Sequence, residues 1–159
     1  MRRTAIKLAL VAVMSGAAMA DSQRDIQRAV GDDALLASAG VEPATAELRK
    51  PCSAAVLETD DPPEFFDCVY VQTSRDLNLF SLEDGYLMSE LQLTLSNMDG
   101  VALQRMGRYV QVQIFSGKRV AALFIHDQDW IDPAQTEAVY RWLLGHGVRE
   151  HAPHRWIGP

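Results

Sequence analysis

The chain has 159 residues, with 15 Lys and Arg against 21 Asp and Glu and only two cysteines. That length suits one domain around one core. The acidic balance excludes binding of nucleic acid or anionic lipid through a broad positive field. The sequence contains no internal repeat, no nucleophile elbow, no zinc-protease motif, no phosphate-cradling loop and no dinucleotide fingerprint. No catalytic residue, metal or cofactor is therefore assigned.

In chain order, Arg2, Arg3 and Lys7 precede an apolar run over residues 8–14, and Ala18-Met19-Ala20 is followed by Asp21. This pattern is expected for a secretory signal peptide over residues 1–20, cleaved after Ala20, with a single domain over residues 21–159. The apolar run is too short to span a bilayer, so no stable membrane insertion is expected after cleavage. The Arg2-Arg3 pair also raises twin-arginine export, but without the usual Phe after the pair the general secretory route is favoured. Cleavage leaves 12 basic against 21 acidic residues, a net charge of −9. The expected destination is the periplasm or the secreted space. In such an oxidising compartment Cys52 and Cys68 are expected to form a structural disulfide, and their spacing is not that of a redox pair.

Residues 22–39 show helical spacing in Ile26, Ala29, Val30, Leu35 and Leu36, with Gly40 as a stop. From 41 to 50 the pattern decays around Pro43 and Pro51, leaving room for a short helix at 44–48. The acidic stretch over residues 56–67 contains Glu58, Asp60, Asp61, Glu64 and Asp67. It lacks calcium-loop spacing, and Pro62-Pro63 stiffens it, so it reads as a solvated turn beside the disulfide.

Strands are expected over residues 68–73, 76–82, 86–96, 109–115 and 120–125, from their alternating or continuous apolar residues. Residues 101–106 fit either a strand or a short helix. In the strand around Val110, Val112 and Ile114, the other face carries Tyr109, Gln111, Gln113 and Phe115. That face is expected to be solvated or to form a shallow contact surface.

The cluster His126-Asp127-Gln128-Asp129-Trp130-Ile131-Asp132 holds one imidazole and three carboxylates, groups used for metal binding or acid–base work. Asp132, Pro133 and Gln135 explain part of it as the start of a helix. His126 and Asp127 are adjacent and project to opposite faces of a strand, so any metal site needs ligands from elsewhere. The helix over residues 133–146 is expected to bury Ala138, Val139, Trp142 and Leu143. The tail from about residue 150 is interrupted by Pro153 and expected to be loosely held, although it brings His151 and His154 near His146.

The expected fold is α+β: an N-terminal helix, an antiparallel sheet of about five strands and a C-terminal helix packed on one face. The expected function is that of a non-catalytic interaction protein, of inhibitor, immunity or envelope-assembly accessory type, whose partner is another envelope or secreted protein. The alternative is a small metal-binding protein or hydrolase centred on His126 and Asp127. The candidate binding residues are Tyr109, Gln111, Gln113, His126, Asp127 and Trp130.

Overall fold

The computed structural model describes Arg24, Ile26 and residues 31–58, 62–127 and 130–158. The signal-peptide segment lies outside these, as do Ala29, Val30, Asp60, Asp61, Gln128 and Asp129. The described chain is mostly sheet. Seven strands run β1 (Leu48–Glu58), β2 (Phe66–Gln72), β3 (Asp76–Glu83), β4 (Tyr86–Thr94), β5 (Gly100–Met106), β6 (Tyr109–Ser116) and β7 (Arg119–Asp127). A two-residue strand, β8 (Trp130–Ile131), pairs with the end of β7. The helices are α1 (Asp33–Ser38) and α2 (Pro133–Gly145).

The expected α+β arrangement of about five strands is thus corrected to a seven-stranded antiparallel sheet with one C-terminal helix and a six-residue helix near the N terminus. Residues 101–106 belong to a strand, and β1 occupies a stretch that had seemed irregular. Proline inside a strand normally demotes it to an edge. Pro51 pairs with Val69 of β2, but the pairing of β1 to β7 begins only at Cys52. The proline therefore sits where one side of β1 is still open. The helix expected over 22–39 is interrupted at Asp32, whose carboxylate accepts the Leu35 amide at 3.0 Å and caps a new helix.

The strand order is β4-β3-β2-β1-β7-β6-β5. Two hairpin-linked meanders, β1–β4 and β5–β7, are joined, among the described strands, where β1 meets β7. Their tight turns use left-handed residues where the geometry requires them: Asp84 and Gly85 between β3 and β4, and Gly117 between β6 and β7. Cys52 and Cys68 face each other across β1 and β2 and are disulfide-bonded. The loop of this size contributes roughly 3 kcal/mol in the chain-entropy model.

Alternate residues sort to two faces. On the first, Tyr70, Leu79, Leu93, Ile114 and Leu123 join Val139 and Leu143 of α2 in one apolar cluster. The helix buries Thr136, Val139 and Leu143, not Ala138, which is exposed, while Trp142 is half-buried. Thr136 sets this rotation. Its hydroxyl accepts the Ile125 amide at 3.0 Å and donates to the Asp132 carbonyl, tying the first turn of α2 to the end of β7.

The second face is covered in two patches. Leu36 and Val41 lie with Val69, Val71 and Phe80, while Ile157 from the C-terminal segment lies on Ala55, Leu57 and Ala122. Among the described residues, no helix is long and apolar enough to cross a membrane.

Two substitutions probe this architecture. Burial pushes the Tyr70 hydroxyl well above the ordinary phenol value, because the charged form would be desolvated. A raised folded-state value means that the stabilising contribution is complete below about pH 10 and is lost as pH rises beyond it. Tyr70→Phe is expected to flatten the alkaline decline of Tm. At neutral pH it should cost about 1 kcal/mol for the hydrogen bond to Gln72. Gly100→Ala would place a methyl 2.8 Å from the His151 Cβ and 3.3 Å from the Arg149 carbonyl. It is expected to cost about 1–3 kcal/mol in urea unfolding, as overpacking does.

Candidate functional site

The residues singled out by sequence do not converge. Gln111 and Gln113 are fully buried, with 0% exposure, rather than solvated. Their cover is the chain's own C-terminal segment. The Gln111 amide nitrogen donates to the Ile157 carbonyl at 2.5 Å, and its oxygen accepts the Ile157 amide at 3.4 Å. Gln113 accepts the His154 amide at 2.8 Å and donates to the His154 and Arg155 carbonyls at 3.3 and 3.2 Å. The two side chains are themselves linked at 3.0 Å. On the same face Phe115 stacks on His151, with ring centroids 3.9 Å apart. The segment from His151 to Ile157 thus runs along β6 from Phe115 towards Gln111.

Tyr109 lies at the far end of that row, as the first residue of β6 beside the turn from β5. It faces Met106 across the hairpin. Gly107 takes the left-handed conformation that lets the chain reverse there. Tyr109 and Met106 are among the exposed large apolar residues, at 39% and 45%. The Arg108 guanidinium lies 5.3 Å over the Tyr109 ring and donates to its hydroxyl at 3.2 Å. Arg105 bonds Glu137 of α2 at 2.9 Å, and Arg141 bonds the same carboxylate at 2.7 Å. These two guanidinium groups, Arg105 first, hold the Glu137 carboxyl below its usual range. The hairpin tip is therefore a basic and aromatic projection braced from behind by α2.

The other exposed apolar pair, Tyr86 and Met88, lies on the edge strand β4. A register shift there, opposite Leu79 and Phe80, leaves Glu90 out of the ladder. A bulge and a charge are the usual means by which an edge avoids pairing with other chains.

His126 and Asp127 are not brought together. His126 is buried on β7 and Asp127 is exposed. His126 Nε2 lies 2.5 Å from the Ser53 hydroxyl on β1. Ser53 and His126 have the spacing of a nucleophile and its base. Ser53 sits mid-strand, however, His126 is the penultimate residue of β7, and neither lines the crevices beside Thr73, Ser96, Cys52 or Trp156. No group of three His, Cys, Asp or Glu able to hold a metal occurs among the described residues. The backbone of Trp130 pairs with Asp127 through β8.

Sequence reasoning missed Ser53, Met106, Arg108, Trp156 and Ile157. The last two carried a signal: an adjacent Trp and Ile in an otherwise polar, Pro-containing terminus mark a segment with something to bury. Gln113→Ala removes both directions of bonding to residues 154–155. It is expected to lower stability by roughly 1–2 kcal/mol in urea unfolding, with little change in the denaturant slope.

No protein-family model matches this chain, and no curated protein matches it in sequence.

Proposed function

We propose that this chain is a non-catalytic interaction protein of the periplasm or secreted space, exported by a signal peptide over residues 1–20. Its partner is another envelope or secreted protein, engaged through the tip of the β5–β6 hairpin. The observation that carries this reading is the composition and bracing of that tip. Met, Tyr and Arg are enriched in the centres of protein interfaces. Here Met106 and Tyr109 face each other in the open, and Arg108 is stacked on the Tyr109 ring. A rigid aromatic already held by a neighbouring cation loses little entropy on docking. The anchoring of Arg105 to α2 through Glu137 extends that preorganisation.

Charge defines the partner surface. The chain after residue 20 carries a net −9, whereas the tip carries Arg108 and, paired with Glu137, Arg105. The tip is thus a local basic reversal on an acidic molecule, and its complement is an acidic, partly apolar patch. Export is supported by the basic–apolar–small pattern of residues 1–20 and by the Cys52–Cys68 disulfide, a bond that persists in oxidising compartments.

The test is quantitative capture from an envelope extract by the disulfide-intact protein and by a Met106→Ala/Tyr109→Ala double variant. One protein recovered by the wild type in near-equal amount, and reduced at least tenfold with the variant, is the expected outcome; two hot-spot truncations are worth about 2 kcal/mol or more. Binding should also weaken as salt rises, because the tip charges are exposed. Equal recovery by both proteins would exclude the tip as the contact surface.

A further inference from the structure

The second face of the sheet, beneath residues 152–158, has the construction of a peptide-binding groove filled by the chain's own terminus. We propose that this groove binds an extended segment of another protein carrying an aromatic side chain followed directly by an aliphatic one. The C-terminal segment acts as an intramolecular competitor for it. This inference is independent of the hairpin tip and stands on different residues.

Three observations lead there. The first is how the segment is held. Gln111 and Gln113 contact it through the backbone groups of His154, Arg155 and Ile157. A primary amide offers donors and an acceptor, as a peptide group does, so this pair can grip any extended backbone whatever its sequence. Specificity comes from two side chains. Ile157 is 2% exposed against Ala55, Leu57 and Ala122, and Trp156 lies 5.7 Å from the Phe124 ring.

The second is the chemistry of the floor. The opposite face, under α2, presents Val112, Ile114, Leu123 and Ile125 and must stay covered. Under the terminal segment β6 presents Gln111 and Gln113, whose amides are readily solvated when uncovered, while β7 presents Ala122 and Phe124. The β6 row can therefore be uncovered with less apolar exposure than the wholly apolar row beneath α2.

The third is an imperfect fit. The Trp156 indole Nε1 is buried with no hydrogen-bond partner among the described residues. A buried donor left unmet is a net penalty on the docked segment. An open crevice of about 180 Å³ remains beside it, lined by Leu57, Pro63 and Trp156 among others. The resident segment therefore holds less tightly than the groove permits, and a competitor with Phe in place of Trp escapes the unmet donor. Such a competitor must still exceed the effective concentration of the tethered segment, which is in the millimolar range for a short connection.

The probe is a labelled peptide of the sequence of residues 152–159, with a second peptide carrying Phe for Trp156 and a control carrying Ala for Ile157. Each is titrated into the full disulfide-intact chain and into full-length Ile157→Ala, whose own segment is weakened. The native peptide is expected to bind the variant at least tenfold more tightly than the wild type. The Phe peptide should bind more tightly still, the Ala peptide should fail, and adding Gln111→Ala and Gln113→Ala should abolish binding. Hydrogen exchange on the unmodified protein tests the same point without relying on a variant. The amides of His154 and Ile157 should exchange at least a hundredfold faster than those of Val112 and Leu123, through opening of the segment alone. Exchange of all four together would overturn the proposal, as would absence of peptide binding to a variant that still unfolds cooperatively. Concentration-dependent dimers with exchanged termini would overturn it by making a second copy the occupant.

Discussion

The pairing of β1 with β7 holds the molecule together. It joins residues roughly 60 to 70 positions apart, from Cys52 with Ile125 to Glu58 with Arg119, and among the described residues it is the only ladder between the two meanders. Remove it and each meander is left with one face of a small sheet and no common core. The apolar cluster under α2 draws Leu79 and Leu93 from one meander and Ile114 and Leu123 from the other, so its continuity depends on that central ladder. The side chains along it are small, with Ala54 and Ala55 on β1 and Ala121 and Ala122 on β7. Small residues at the centre let a helix approach one face while the C-terminal segment lies close on the other.

This dependence explains which parts of the fold were legible in the sequence. β2, β3, β4, β6, β7 and α2 announce themselves through local periodicity and turn chemistry: Asp84-Gly85, Gly117 and the Asp132-Pro133 helix start are each a local signal with a local cause. β1 does not. It is buried on both faces at its centre, carries Pro51, and ends in Glu58 of an acidic stretch, so it shows neither alternation nor a clean apolar run. Its identity comes from its partner more than sixty residues away, and no window along the chain contains that information. The N-terminal helical stretch shows the converse: continuous apolar spacing concealed the break at Asp32, where a carboxylate found a better role as a cap.

The candidate surfaces were legible in the same uneven way. Alternation placed Tyr109, Gln111 and Gln113 correctly on one face of one strand. It could not show that the terminus lies over two of the three, because buried glutamine and solvated glutamine look alike until the covering segment is known. His126 and Asp127 were separated by strand geometry alone, whereas the contact of His126 with Ser53 again depends on the non-local β1–β7 ladder. Residue type and period assign faces. Which faces are left open is decided by the termini.

The position of the disulfide has a consequence for the order in which the molecule can form. A chain that emerges from its N terminus presents β1 to β4 well before residues 119–127 are available, and during that interval the side of β1 that will meet β7 has no strand beside it. An unpaired inner strand is the part of a half-made sheet most prone to slip register or to recruit another chain. The Cys52–Cys68 bond joins β1 to β2 at directly opposed positions, so once closed it forbids a slip of that hairpin while the rest of the chain arrives. Its place at the first completed pair of strands makes it a register lock for vectorial folding, useful at a stage that the finished sheet no longer displays.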